Sequence, residues 1–226
     1  MVNPIKKIAE ILEPELGVEI LITQGGSEDL YQSLKAAHKG DLYLPGSASY
    51  RNKHEKEGLL GEWVHVGYNQ ATLIVAKGNP KQLDNRLSNL MKPELRVIIG
   101  DPDSGSIGKE TKRILEAAGI YDKVRSNVLF LSTDSRNLNY ALKQNDADVS
   151  INWRATALFP ENREQIDHID LSPEIATPKK LILNLLTFSK FPDKARRFMQ
   201  FAASPEGQAI FREHGFLDNH MQVDKF

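Results

Sequence analysis

The sequence predicts an α/β fold, and three observations carry that expectation. Short apolar runs rich in β-branched residues recur along the chain. The loops that follow them are rich in Gly, Ser and Thr, and several end on a residue suited to start a helix. The order strand, loop, helix then repeats, which is the pattern of mixed, mostly parallel sheets covered by helices.

Taken in order, Asn3 reads as an N-cap and Pro4 as the first helical residue, with Ile5, Ile8, Ala9 and Leu12 at helical spacing behind them. Residues 18–22 are apolar and β-branched, so a strand is expected there. Gln24-Gly25-Gly26-Ser27 is a turn into a helix. Ser27 is its cap, Glu28 and Asp29 suit the positive end of its dipole, and Leu30, Leu34 and Ala37 form its apolar stripe. A brief strand at 42–44 precedes a polar helix over about 50–57. Residues 63–66 and 72–76 read as strands, and Leu83, Leu87 and Leu90 mark an amphipathic helix.

Residues 95–99 read as a buried strand that runs into the loop Gly100-Asp101-Pro102-Asp103-Ser104-Gly105-Ser106-Ile107-Gly108. A helix over 109–118 ends at Gly119. Strands at 128–131 and 148–152 flank a helix at 135–144, and 181–188 is the last strong strand. Two helices close the chain, the second with Ser204 as cap, Pro205 at its first position and Gly215 past its end. The first lobe opens on a helix without a strand to feed it, so a preceding strand is expected outside the given sequence.

The chain has 226 residues, room for one large domain or two small lobes. Lys plus Arg number 29 against 30 Asp plus Glu, with no basic stripe, which argues against nucleic acid as a main partner. The absence of cysteine excludes disulfides, thiolate metal sites and a Cys nucleophile. No apolar run approaches the roughly 20 residues that span a bilayer. No signal peptide is visible, so an export signal is expected to lie outside the given sequence. The six histidines (38, 54, 65, 168, 214 and 220) show no metal-ligand spacing, and most are expected to be solvated. Neither a metal centre nor a cofactor is expected.

Three loops share one design: Gly25-Gly26-Ser27, Ser104 to Gly108, and Ser132-Thr133-Asp134-Ser135. Each follows a strand-like run and opens a helix. Helix N-termini offer N–H groups and partial positive charge, hydroxyls add neutral donors, and Gly admits close backbone approach. Such loops suit a small anion at the carboxyl ends of strands. Capping is the ordinary role of the same residues, and the sequence leaves both open.

The Gly-rich loop is not a P-loop, since Gly108-Lys109 is followed by Glu110. No Gly-x-Ser-x-Gly elbow occurs, and no convincing acid–base pair supports an enzyme. Asp101 and Asp103 fit a turn better than paired catalysis. Arg136 and Arg154 either clamp an anion or form surface ion pairs. Trp153 either walls a pocket or fills a core.

Taken together, these segments resemble the type II periplasmic solute-binding proteins, specifically the molybdate/tungstate branch. The resemblance rests on Gly25-Gly26-Ser27 and on Gly40-Asp41-Leu42-Tyr43-Leu44-Pro45-Gly46-Ser47. It continues through Gly58-Leu59-Leu60, Ala71-Thr72-Leu73-Ile74-Val75-Ala76-Lys77 and Gly100-Asp101-Pro102 with Gly108-Lys109. Arg136 and Ala147-Asp148 match as well, and the ending Ser204-Pro205-Glu206-Gly207-Gln208-Ala209-Ile210-Phe211 with His214-Gly215-Phe216 is the most specific piece.

The resemblance implies a two-lobed type II fold with a hinge and an interlobe cleft. Lobe one would be 1–68 plus 187–226, and lobe two 69–186. It implies a non-enzymatic, monomeric, extracytoplasmic binding protein that captures molybdate, tungstate or a related oxyanion for an ABC permease. Ligand contacts would fall on Gly26, Ser27, Ser106, Ile107, Ser135 and Trp153. Arg154, where the family has a small residue, would favour a more highly charged or organic anion. A ligand-sensing effector domain of the same fold, as in LysR-type regulators, is the alternative.

Overall fold

A computed structural model describes residues 1–217. In chain order its elements are α1 (Val2–Leu16), α2 (Ser27–Ala37), β1 (Leu42–Tyr43), α3 (Ser49–His54), β2 (Leu60–Asn69), β3 (Ala71–Ala76), β4 (Val97–Gly100) and α4 (Ser106–Ala117). Then follow α5 (Tyr121–Asn127), β5 (Val128–Ser132), α6 (Ser135–Lys143), β6 (Val149–Trp153), α7 (Arg154–Ala157), β7 (Ile166–Asp170), β8 (Lys179–Leu186), α8 (Pro192–Ala203) and α9 (Pro205–Glu213). The chain divides into two compact units, Met1–Asn69 with Lys179–Phe226, and Gln70–Pro178.

Unit 1 holds a three-stranded antiparallel sheet in the order β1-β8-β2. Its central strand is β8, which the sequence reading placed in the other lobe, with the boundary at 186/187. The ladder corrects this: Leu42 pairs with Leu185, and Trp63 with Asn184, so β8 supplies the hydrogen bonds that both neighbours need. Helix α1 packs on α8 and α9 through the fully buried Ile8 and Leu12. Tyr31, Tyr43, Leu60 and Leu186 form a second core cluster beneath α2.

Unit 2 holds a five-stranded mixed sheet in the order β5-β4-β6-β3-β7. Parallel pairing joins β4 to β5 and to β6, and β3 runs antiparallel to β6 and β7. Every residue of β4 is buried, and so are the first five of β3, which is why these strands read as almost continuous apolar runs, with Thr72 the one polar residue. Each fully buried aliphatic side chain here, such as Leu73, Val97 or Ile98, contributes about 1.5–3 kcal/mol over exposure.

Four expectations are corrected. Residues 18–22 alternate between half-buried and exposed as a strand would, but pair with no described strand. Leu83, Leu87 and Leu90 are all buried, yet only Leu87–Met91 is helical, as a 3-10 turn. Local side-chain bonds win there: Asn79 bonds the backbone of Leu83 in both directions, and Asp84 Oδ1 accepts from the N–H of Arg86 and from Asn89. The helix expected from 109 begins three residues earlier, at Ser106. Asn3 does not cap α1, which starts at Val2 with Met1 at its N-cap.

Candidate functional site

Four helices open on a serine: α2 on Ser27, α3 on Ser49, α4 on Ser106 and α6 on Ser135, and the three whose loops stood out in the sequence are α2, α4 and α6. Their N-termini differ. The residue before Ser27 is Gly26 and the residue before Ser106 is Gly105, and no side chain caps either helix. Before Ser135 stands Asp134, whose carboxylate accepts the N–H groups of Arg136 and Asn137 at 2.8 and 3.1 Å. These bonds and the Arg136 guanidinium hold its pKa below the ordinary aspartate value, although desolvation opposes them. A carboxylate therefore fills the N-cap of α6, and no side chain fills those of α2 and α4.

In unit 2 the loop after β4 is drawn tight by close backbone approach. A Cβ on Gly108 would lie 2.0 Å from the Asp101 carbonyl oxygen, and one on Gly105 would lie 2.9 Å from that of Thr133. Asp101 donates its N–H to Ser132 O at 2.7 Å, and Ser104 Oγ donates to Thr133 O at 3.0 Å. Asp101 Oδ1 accepts from the N–H of Asp103, the turn role expected of it. Ser106, which is buried, accepts the indole Nε1–H of Trp153 at 3.2 Å. With one N–H received and no acceptor for its own proton among the described residues, this hydroxyl remains a donor.

Unit 1 repeats the device. The Oγ of the buried Ser27 accepts the N–H of Gly46 at 3.1 Å, and its carbonyl oxygen accepts the Tyr43 hydroxyl at 2.7 Å. Its hydroxyl proton is also left to give. Glu28, the next residue, brings negative charge to the same helix start, but Lys53 lies 2.8 Å and His54 3.1 Å from its Oε2. Desolvation works against this carboxylate, yet the bonds from Lys53, Gln32 and His54 outweigh it and hold its pKa at about 2. Its charge is thus spent on protein partners.

His54 departs from the expectation that most of the histidines are solvated. It is buried, stacked on Tyr31 at 3.6 Å between ring centroids, with Glu28 and Glu57 on its two ring nitrogens. The Lys35 ammonium and His54 hold Glu57 at about 2, and desolvation joined to the negative charge of Glu57 pushes Tyr31 up to about 12. His65 and His168 are half-buried and both lowered, desolvation being the main cause. His220 lies outside the described residues. Among the described residues no cluster of His and carboxylates has the form of a metal site.

The remaining expected residues separate by role. Trp153 and Ile107 are core side chains of unit 2, so Trp153 acts on Ser106 from within the core, and Ile107 faces the helix start with backbone alone. Ser135 O accepts from Asn152, which also bonds Asn139 and takes the Trp153 N–H. Arg154 is held on Asp170 through Nε at 3.1 Å, and Arg136 on Asp134 at 2.7 Å. Sequence reasoning missed Asn152, Asn69 and Gly46 as site residues: no pattern marks the two asparagines, and Gly46 stood only within the 40–47 segment of the resemblance.

A model of the bacterial extracellular solute-binding protein family matches residues 1–217. A relative from Haemophilus influenzae, described only as a binding protein, is 25% identical over 215 residues, covering 95% of this chain and 86% of that one. A sulfate-binding protein of Synechococcus elongatus is 22% identical, covering 94% and 67%. Among solved structures, the periplasmic molybdate-binding protein of Azotobacter vinelandii superposes with a TM-score of 0.80 at 15% identity, covering 96% of this chain and 94% of that one. The last likeness is one of fold.

Proposed function

Because the chain belongs to the bacterial extracellular solute-binding proteins, we propose that it captures a small oxyanion outside the cytoplasm and delivers it, unreacted, to an ABC importer. The class meant is the tetrahedral one that includes molybdate, tungstate, sulfate and phosphate, with molybdate and tungstate the first members to test. The carrying observation is the matched state of Ser27 and Ser106. Each stands first in a helix with no side-chain cap, and each accepts one N–H, so that its own proton remains to be donated.

Such donors are neutral and fixed, which suits an anion that must be held selectively and then released. A sulfate-binding relative and a molybdate-binding protein of the same fold support the ligand class. A monomer with a permease as its partner belongs to the same reading. Calorimetric titration with molybdate, tungstate, sulfate and phosphate tests it. One-to-one binding is expected, weakened about tenfold to a hundredfold in Ser27→Ala and in Ser106→Ala, since a hydrogen bond to a charged group contributes about 1.5–3 kcal/mol. Absence of binding by every oxyanion removes the reading.

A further inference from the structure

Asn69, the last residue of β2, is 2% exposed, and its Oδ1 is a buried acceptor with no hydrogen-bond partner among the described residues. Its Nδ2 faces the Gly46 carbonyl oxygen at 3.4 Å. That contact fixes which end of the amide is free. The reverse orientation would set two carbonyl oxygens against each other, so the unpartnered atom is the oxygen. A buried acceptor left unpaired costs about 1–3 kcal/mol, which makes an orphan in a folded chain a position that calls for a donor.

The orphan is tied to the start of α2 through one residue. Gly46 gives its N–H to Ser27 Oγ and its carbonyl oxygen to Asn69 Nδ2. Three separate stretches of unit 1 therefore meet at Gly46: the uncapped start of α2, the 45–47 turn and the end of β2. They leave two side-chain functions unspent, the Ser27 hydroxyl proton and the Asn69 carbonyl oxygen. A fully deprotonated oxyanion offers acceptors alone. It satisfies Ser27 and sets an oxygen against Asn69 Oδ1 or leaves that atom unpaired. An anion that carries an O–H satisfies both.

We propose that Ser27 and Asn69 act as a donor–acceptor pair that selects an oxyanion bearing its own O–H. This inference rests on the oxyanion reading above and narrows it. Inorganic phosphate, which keeps a proton throughout the neutral range, and a phosphate ester with a neighbouring carbon-borne hydroxyl share the required chemistry. Sulfate and molybdate lack it. Asn69 is a specificity-determining residue, and Ser27 serves any oxyanion.

Calorimetric titration of the full chain at pH 8 with phosphate, glycerol 3-phosphate, sulfate and molybdate tests the proposal. At that pH the ester phosphate, whose second pKa is about 6, has lost its proton. Its donor is then the carbon-borne hydroxyl, so the two phosphate arms separate P–OH from C–OH. At least one of them is expected to bind tenfold or more tightly than sulfate and molybdate. Asn69→Ala is expected to erase that margin, weakening the phosphates and leaving sulfate bound as tightly as before or more tightly, and Ser27→Ala to weaken all of them. Sulfate or molybdate binding as tightly as both phosphates overturns the proposal and leaves the oxyanion reading intact. A margin that survives Asn69→Ala overturns the role of Asn69. Binding of none of the four removes both readings. If Asn69→Ala fails to fold, the comparison in the unaltered chain decides.

Discussion

The Trp153 indole and the Ser106 hydroxyl are joined by one hydrogen bond, Nε1–H to Oγ at 3.2 Å, with both residues buried. A core side chain thereby sets the direction of a polar group at a helix start. Trp153→Phe keeps an aromatic ring in the core and removes the donor. The Ser106 hydroxyl is then free to turn its proton elsewhere. Oxyanion affinity should fall about 5–10-fold, equivalent to about 1–1.4 kcal/mol. Titration calorimetry reads it, with a thermal melt to show that the fold survives. Unchanged affinity would place Trp153 in packing alone.

Gly108 is the residue on which the loop after β4 closes. In Gly108→Ala the new Cβ would stand 2.0 Å from the Asp101 carbonyl oxygen, so the first turn of α4 must move off the strand. Unfolding in urea should show a loss of about 1–3 kcal/mol, the range for a forced steric insertion. The oxyanion should bind more weakly at the same time, because Ser106 travels with the helix. Full stability in the variant would rule out the close approach.

Asp134 caps α6 with two backbone bonds and holds Arg136. Asp134→Ala should cost about 0.5–2 kcal/mol of stability, the range for a lost N-cap. It should leave oxyanion affinity within about twofold, a change under about 0.5 kcal/mol, because this helix start is already occupied by its own carboxylate. A large loss of affinity would return Ser135 to the ligand.

Glu28 and Glu57, both held at about 2 by Lys53, Lys35 and His54, make stability depend on acid. The unfolded chain binds their protons near pH 4.5, the folded chain only near 2, so stability rises with pH across that window. Their contribution is complete above about pH 5 and is lost as pH falls toward 2. Urea unfolding at pH 5, 3.5 and 2 should show the decline. His54→Leu, which removes one partner from both carboxylates, should make it shallower. An equal slope in the variant would exclude His54 from the linkage.

The strands that sequence reading finds best are β3, β4, β6 and β8, which are largely buried and rich in aliphatic residues, although Thr72, Ser150, Asn152 and Asn184 interrupt three of them. The three serine-bearing loops are equally legible, since Gly followed by Ser or Asp followed by Ser is a local signal. What separates them is not. Only the Asp134 carboxylate turning back on Arg136 and Asn137 sets α6 apart from α2 and α4. Residues 18–22 carry a strand pattern, but a strand is a pairing, and no composition supplies the partner. His54 and Asn69 were illegible for a similar reason. His54 meets Glu28 across 26 positions and Asn69 meets Gly46 across 23, and nothing near either residue announces the contact.

Asn69 and Lys179 are register partners at the end of the β2–β8 ladder. The chain therefore leaves unit 1 and re-enters it at neighbouring points of one hairpin. Seen from unit 1, everything between Gln70 and Pro178 occupies the place of a turn. Loop-closure entropy grows only with the logarithm of length, so an insert whose ends are already adjacent adds little to the cost of folding its host. Evolution could exchange or redesign that insert as a cassette, and a laboratory could replace it with a short Asn-Gly turn and ask whether the host folds alone.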